Sequence, residues 1–332
     1  METTPNQIEN EQIEKEPTGV RFRTAVEFCR AIPGEVLFVS EPYVVAGAIL
    51  EISGKIKAAG KTTFLLAMAR SVLDGLPFMG YPTLKSPVVY LTEQPDASFR
   101  AAIRRAKLDE REDFFLLSYK DTFTSDWESI AQAAGLKCKE TGSKLLCIDT
   151  LPQFAGMEGN QENDSGAAMK AVKPLQSITS EGIAVVVVRH DRKSGGDVGD
   201  AGRGSTAWGG AADTLINMTR GDGNSLNTVR YLSCISRFDG PPDKLVIDLR
   251  DGEYVSLGTK THVALDKAKE EILKVAPIGE AEALKTEDLI TAATGVNKTI
   301  GQQALEELSQ ENLLMRKRSS GRGTPYYYWQ PV

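Results

Sequence analysis

The sequence predicts an α/β protein whose central sheet is mostly parallel and covered by helices on both faces. Two observations predict this fold class. Short runs of consecutive apolar residues recur between residues 21 and 258, and none is longer than the six residues of 183–188. Segments with the apolar spacing of helices separate these runs. Continuous apolar runs are typical of strands buried on both faces, and parallel strands need helical crossovers between them.

The elements follow in chain order. Strands are predicted at 48–53, 87–92, 114–118, 145–149 and 183–188. Helices are predicted at 62–73, 97–107, about 125–139 and about 166–180. After residue 210 the strand patterns at 214–218, 228–236 and 244–248 follow one another without helices. We expect these three strands to extend the same sheet in antiparallel fashion.

The C-terminal end has a different pattern. Helices are predicted at 263–275, 286–293 and 297–314, followed by a basic segment, a turn rich in Ser and Gly at 319–323 and the aromatic run 326–329. Three helices before a basic hairpin indicate a winged helix. The predicted divisions are a disordered tail at 1–20, a core domain at 21–258, a linker and first helix at 259–277 and the winged helix at 278–332.

Composition limits the class of protein. The 332 residues suffice for one large and one small domain, and the net charge is −6. This charge neither supports nor excludes nucleic-acid binding. The four cysteines form no CxxC motif, which favours a reducing compartment over a zinc or disulfide framework. No apolar run is long enough for a membrane span and the N-terminus resembles no secretory signal, so a cytoplasmic protein without membrane contact is expected.

The stretch "EISGKIKAAGKTTF" follows the first strand and enters a helix. Gly60-Lys61-Thr62 fits the end of the phosphate-binding P-loop pattern, but the first glycine, Gly54, stands one residue too early. Either Gly54 begins a longer arc, or Lys55 takes the first position. We favour the longer arc because glycine suits a sharp strand exit.

A P-loop cradles phosphates with its N–H groups and the N-terminus of the helix that follows. Lys61 would reach the β- and γ-phosphates of ATP, and the Thr62 hydroxyl would bind Mg²⁺. Lys57 either contacts phosphate or faces solvent. The residues expected to line the nucleotide are Gly54, Lys57, Ala59, Gly60, Lys61, Thr62, Thr63 and Asp149.

Three further strands end in polar residues suited to ATP hydrolysis. Asp149 ends the strand 145–149 and would hold Mg²⁺ beside the P-loop, as a Walker B aspartate does. Glu93 follows the strand 87–92 and would act as general base on the attacking water. His190 follows 183–188 and would sense the γ-phosphate. Each of these side chains also has a purely structural interpretation, as a helix cap or a solvated strand end.

A glycine-rich segment at 193–210 is predicted to be a mobile surface loop. Arg203 within it is the favoured arginine finger, a guanidinium supplied to the nucleotide of a neighbouring subunit. Arg237 is the competing candidate. Asp213, which follows the loop, is interpreted as a structural cap, and the polar segment 153–164 as a plain connector.

Basic residues stand beside aromatic residues in the predicted winged helix. The basic residues are Lys298, Arg316, Lys317, Arg318 and Arg322, and the aromatic run is Tyr326-Tyr327-Tyr328-Trp329. This pairing suits contacts with nucleic acid. The helix at 302–311 is acidic, however, and winged helices also dock proteins, so both interpretations stay open.

In order, "VVYLTEQ", "LLCIDTLPQF", "QEND", "AVVVVRHDRKSGG" and "GRGSTAWGGAADTLI" resemble the RecA-fold P-loop ATPases of the RepA-type hexameric replicative helicase family, AAA_25-like, over about residues 24–250. The resemblance assigns Lys61 and Thr62 to Walker A and Asp149 to Walker B. It also matches Glu93 to the catalytic glutamate, His190 to the sensor and Arg203 to the finger. Family members often carry two histidines where this chain has Arg189-His190.

This resemblance implies a RecA-like core, a homohexamer with ATP and Mg²⁺ at its interfaces, and movement along single-stranded DNA during replication. A replication initiator or a primase is expected as a protein partner. An alternative is an ATP-switched DNA-binding or regulatory ATPase that does not unwind DNA. A third hypothesis is that the winged helix recruits the ATPase to another protein.

Overall fold

This computed structural model describes residues 22–31, 34–55, 59–158, 161–190, 210–221, 226–318 and 325–332. A first unit ends at Leu37 and contains the short helix α1 (Ala25–Ala31), whose side chains are all outside the buried core. The predicted disordered tail, 1–20, lies outside the described residues. The second unit begins at Phe38 and holds the rest of the chain.

The second unit is built on a large, mostly parallel sheet. A short antiparallel ribbon of β1 (Phe38–Ser40) and β2 (Val44–Val45) precedes it. The strands of the sheet are β3 (Ile49–Gly54), β4 (Val88–Thr92), β5 (Phe114–Ser118), β6 (Leu145–Asp149), β7 (Ala184–Val188), β8 (Thr214–Arg220), β9 (Val229–Ser236), β10 (Lys244–Arg250) and β11 (Glu253–Gly258). Their spatial order is β11-β10-β9-β8-β3-β7-β6-β4-β5. The strands from β8 to β5 in this order are mutually parallel.

Helices cover both faces of the sheet. They are α2 (Lys61–Asp74), α3 (Asp96–Arg105), α4 (Trp127–Thr141), α5 (Leu151–Phe154) and α6 (Ser165–Thr179). One core joins α2 and α3 to one face, and a second core joins α4 and α6 to the other. Every residue of β3, β4, β6 and β7 is buried, as the continuous apolar runs predict. The α/β fold with a parallel sheet flanked by helices, the arrangement of a RecA-like P-loop core, is therefore confirmed.

The strands after residue 210 differ from the prediction in two ways. β8 is parallel to β3 and only its other neighbour, β9, is antiparallel to it, so the antiparallel extension begins one strand later than expected. β11 was not predicted. It follows β10 through a turn at Asp251-Gly252, and Tyr254 is its one buried residue, so its apolar pattern is weak.

The C-terminal elements form their own small core. They are α7 (Lys260–Val275), β12 (Leu284–Lys285), α8 (Thr286–Ala292), α9 (Lys298–Gln310), β13 (Met315–Arg318) and β14 (Tyr326–Trp329). The strands pair antiparallel in the order β12-β14-β13. Leu265 and Ile272 of α7 pack with Leu305 and Leu308 of α9. The predicted hairpin tip at 319–323, which includes Arg322, lies outside the described residues.

Two boundaries in this region differ from the sequence prediction. α7 begins three residues early because Thr259 caps it, its hydroxyl accepting the backbone N–H of His262. α9 ends at Gln310, since Asn312 has a φ of 59° and cannot continue the helix. Among the described helices, none is long and apolar enough to cross a bilayer.

Candidate active site

The joint between β3 and α2 has the local structure of a phosphate-binding loop. Gly60 is the N-cap of α2, with a φ of 87°, and no side chain caps the helix. The N–H groups of a first helical turn have no intrahelical acceptor, and together with the helix dipole they favour an anion. Ala59 is buried and Thr63 is exposed on this turn. Lys57 lies outside the described residues.

Gly54 is the last residue of β3. A Cβ atom on it would lie 2.6 Å from the Met218 carbonyl oxygen of β8 and 2.8 Å from the Ala59 Cβ. Glycine is therefore required here by the close approach of two other segments rather than by a sharp strand exit. Lys55 is exposed and begins the arc to Ala59. Residues 56–58 lie outside the described residues, so the choice between a longer arc from Gly54 and a start at Lys55 stays a prediction.

Lys61 is buried at the start of α2, with 6% of its surface exposed. Its Nζ donates to the Gly54 carbonyl at 2.7 Å and to the Lys55 carbonyl at 3.2 Å. The same Nζ lies 3.4 Å from Nδ1 of His190, at the end of β7. A lysine that donates to Nδ1 requires the histidine proton on Nε2. Lys61 and His190 are thus brought together as the site prediction requires.

Thr62 and Asp149 meet across the sheet edge. The Thr62 hydroxyl donates to Asp149 Oδ2 at 2.6 Å, and the Tyr90 hydroxyl donates to the same oxygen at 3.0 Å. Asp149 ends β6 and is 4% exposed. Burial raises the pKa of the Asp149 carboxyl, while the two hydroxyl donors and the charge of Lys61 act in the opposite direction. A hydroxyl beside a carboxylate is a donor set that suits Mg²⁺.

Glu93 stands one strand away. β4 and β6 are parallel neighbours with Thr92 opposite Asp149, so Glu93 emerges beside the Walker B position. Its Oε2 accepts the Thr150 hydroxyl at 2.5 Å. Burial raises the pKa of Glu93, and the Thr150 hydrogen bond lowers it. A carboxylate whose pKa is raised above its usual value is more basic, which suits a general base.

Arg189, the residue before His190, has a structural role. Its Nη1 lies 3.0 Å from both carboxylate oxygens of Glu51, in the middle of β3. The two side chains are 1% and 6% exposed. This buried pair ties the end of β7 to the strand that leads into the P-loop. Arg189 therefore stands where family members often carry the first histidine, and it pairs with Glu51 inside the sheet.

The arginine-finger prediction is not tested. Arg203 and the rest of 193–209 lie outside the described residues. The competitor Arg237 binds within its own chain: its Nη1 lies 3.5 Å from Asp213 and its Nη2 donates to the Gly210 carbonyl at 2.8 Å. Asp213 also accepts the backbone N–H of Ile49 at 2.9 Å.

The segment after β6, interpreted from sequence as a plain connector, includes α5 and one turn of 3₁₀ helix at Gln161–Asn163. Asp164 at its end caps α6, because its carboxylate accepts the backbone N–H of Ala167 at 2.7 Å. The peptide bond between Asp149 and Thr150, just before α5, is cis.

Sequence reasoning missed four residues around the site. Tyr90 binds Asp149, Thr150 binds Glu93, and Gln94 donates from Nε2 to the Thr62 hydroxyl at 2.9 Å. Tyr90, Gln94 and Thr150 all lie within or directly after strands whose ends had been identified, and this was the available clue. Arg230, the fourth, lies in β9, and its Nε donates to the Ala59 carbonyl at 2.7 Å. No spacing in the sequence links Arg230 to the P-loop.

Comparison with known proteins concerns the part of the chain that contains most of the candidate site. Residues 33–196 match the AAA_25 family model, described as an AAA domain. No curated protein matches the chain. The matched segment is about half of the chain and contains β3, α2 and the ends of β4, β6 and β7. It supports a P-loop ATPase.

Proposed function

We propose that this P-loop ATPase binds ATP with Mg²⁺ and uses its hydrolysis to move along single-stranded DNA, as a helicase or translocase of the hexameric RepA type in replication of a bacterial, plasmid or phage genome. The observation that carries the ATPase part is a single cluster at one sheet edge. It consists of Lys61, Thr62, Glu93, Asp149 and His190. Movement on DNA rests on the resemblance of the ordered motifs.

The residues divide the chemistry between them. Lys61 and the first turn of α2 would hold the phosphates, and Thr62 with Asp149 would hold the metal. Mg²⁺, when bound there, would neutralise negative charge on the phosphates. Glu93 would accept a proton from the attacking water, and Thr150 orients its carboxylate. His190, within reach of Lys61, would respond to the γ-phosphate.

A lone RecA-like domain does not place a distant arginine at its own γ-phosphate, so completion of the site by a neighbouring subunit fits this proposal. Arg203 remains the proposed finger. The chain is therefore proposed to form a homo-oligomer, a hexamer by resemblance, with nucleotide at each interface.

The C-terminal elements are proposed to be a winged helix. Their order, helix, strand, two helices and a hairpin, and the exposed residues of β13 support this assignment. The guanidinium carbon of Arg316 lies 5.2 Å from the centroid of the Tyr326 ring, so an aromatic face and a cation stand together on the hairpin. Nucleic acid suits such a surface.

Two observations favour a second function, an ATP-switched DNA-binding or regulatory ATPase without unwinding. The net charge of −6 is unfavourable for a translocase that tracks a phosphate backbone. Two of the C-terminal lysines are also paired with glutamates, Lys298 with Glu287 and Lys317 with Glu280. If the C-terminal elements serve instead to dock an initiator or a primase, their deletion would remove partner binding and leave DNA affinity unchanged.

The test measures ATP hydrolysis and strand displacement with and without single-stranded DNA. Lys61→Ala should reduce hydrolysis by about 100-fold or more, because a buried cation at the phosphates is lost. Glu93→Gln should bind nucleotide and fail to hydrolyse it. The matched control is Lys137→Ala, an exposed lysine paired with Glu140, which should hydrolyse ATP at the wild-type rate.

The outcomes separate the proposals. Wild-type hydrolysis by Lys61→Ala would refute the ATPase mechanism. Hydrolysis that DNA stimulates, together with displacement of an annealed strand, supports the helicase. Hydrolysis that DNA does not stimulate, without displacement, supports the regulatory ATPase.

A further inference from the structure

Arg230 lies against the end of the proposed phosphate-binding loop although it comes from the antiparallel extension, beyond the family match at 33–196. Its Nε donates to the Ala59 carbonyl at 2.7 Å. Its Nη1 donates to the carbonyls of Asn227 at 2.6 Å and Val229 at 2.8 Å. One guanidinium thus connects the residue before Gly60 to the start of β9.

The third nitrogen of this side chain faces the N-terminus of α2. A Cβ atom on Gly60 would lie 3.6 Å from Arg230 Nη2 and 3.7 Å from the Tyr254 hydroxyl. Among the described residues, Nη2 has no hydrogen-bond acceptor. Tyr254 is itself fixed, because its ring packs edge to face against Phe64 of α2 with centroids 5.4 Å apart.

The electrostatics of this position favour an anion. Arg230 is half-buried, and burial lowers the pKa of its guanidinium. Within the described residues no carboxylate forms an ion pair with it. It stands beside the positive end of the α2 dipole and contacts the loop that leads into Lys61, so three sources of positive potential meet. A bound phosphate would relieve this repulsion and accept hydrogen bonds from all three.

We propose that Arg230 is a second cation of the nucleotide site: its Nε positions the Ala59-Gly60 end of the loop, and its Nη2 donates to a phosphate of the bound nucleotide. The inference rests on the proposed function in that the site binds a nucleotide. An arginine fork serves a carbonyl and a phosphate at once, which the single ammonium of lysine does less well. The antiparallel strands, outside the matched segment, thereby become part of the nucleotide site.

The experiment measures the affinity of the full chain for ADP and for inorganic pyrophosphate by titration calorimetry. Arg230→Gln should weaken both by about tenfold or more, the usual loss for a charge-assisted hydrogen bond. Arg230→Lys should lie between Arg230→Gln and wild type. The control is Arg250→Gln on the neighbouring strand β10, an arginine that is 57% exposed and paired with Asp248. It should bind both ligands as wild type does.

Thermal unfolding without nucleotide separates a binding role from a purely structural one. Arg230→Gln affinities within about twofold of wild type would overturn the proposal, whatever the melting temperature. Loss of ADP affinity with unchanged pyrophosphate affinity would overturn the phosphate contact. Lys61→Ala separates a failure of the proposed function from a failure of this inference. If Lys61→Ala binds ADP like wild type, the proposed function fails. If Lys61→Ala loses affinity and Arg230→Gln binds ADP like wild type, only the inference about Arg230 fails.

Discussion

The buried pair of Glu51 and Arg189 provides a prediction whose size follows from its burial. Arg189→Met removes the guanidinium and leaves the Glu51 carboxylate, on a side chain that is 6% exposed, in the middle of a parallel sheet. Breaking such a pair costs about 3–5 kcal/mol of unfolding free energy, because the remaining charge has lost both water and partner. An exposed ion pair, by comparison, contributes about 1 kcal/mol or less to the free energy of unfolding.

The assay is urea unfolding followed by circular dichroism and fluorescence, whose transitions must coincide. Lys137→Met is the control, since Lys137 and Glu140 are paired at 2.8 Å but are 46% and 64% exposed. It should lose less than about 1 kcal/mol. The double variant Glu51→Leu with Arg189→Met should recover most of the lost stability, because no unpaired charge is left.

Two results would refute this reasoning. If Arg189→Met were as stable as Lys137→Met, the pair would not be desolvated as its burial indicates. If the double variant were no more stable than the single one, the loss would come from the volume of Arg189 rather than from its charge.

Two further predictions concern the site. Thr150→Val removes a hydrogen bond that lowers the pKa of Glu93, so the pKa of Glu93 should rise. Because the general base must be ionised, the acidic limb of the pH profile of kcat should move to higher pH. If steady-state assays across pH find this limb unmoved, Glu93 is not the titrating group. Gly54→Ala places a methyl group 2.6 Å from a carbonyl oxygen of β8, so calorimetry should find nucleotide binding weakened; wild-type affinity would contradict the close approach.

The sequence predicted the cluster because it depends on strand ends. The carboxyl ends of parallel strands meet at one edge of the sheet, so the positions of Glu93, Asp149 and His190 could be inferred once their strands were recognised. Lys61 and Thr62 followed from the loop pattern. Only the parallel direction of the strands was needed, not their side-chain packing.

The remaining contacts depend on tertiary register. Arg230 meets Ala59 because β9 lies two strands from β3, with β8 between them, and no local pattern encodes that distance. Arg189 was compared with a histidine, whereas its partner Glu51 lies 138 positions earlier in the chain. The need for Gly54 comes from Ala59, at the other end of the same loop, and from the Met218 carbonyl oxygen of β8, which is distant in sequence.

The helix α7 has a mechanical consequence. It contacts β10 and β11 at one edge of the sheet and also supplies Leu265, Ala268 and Ile272 to the C-terminal core. Lys269 on the same helix binds both Glu307 and Glu311 of α9 at 2.7 Å. A force applied to the C-terminal elements is therefore transmitted to the sheet through a continuous helix and not through a flexible linker. β10 pairs directly with β9, the strand that carries Arg230.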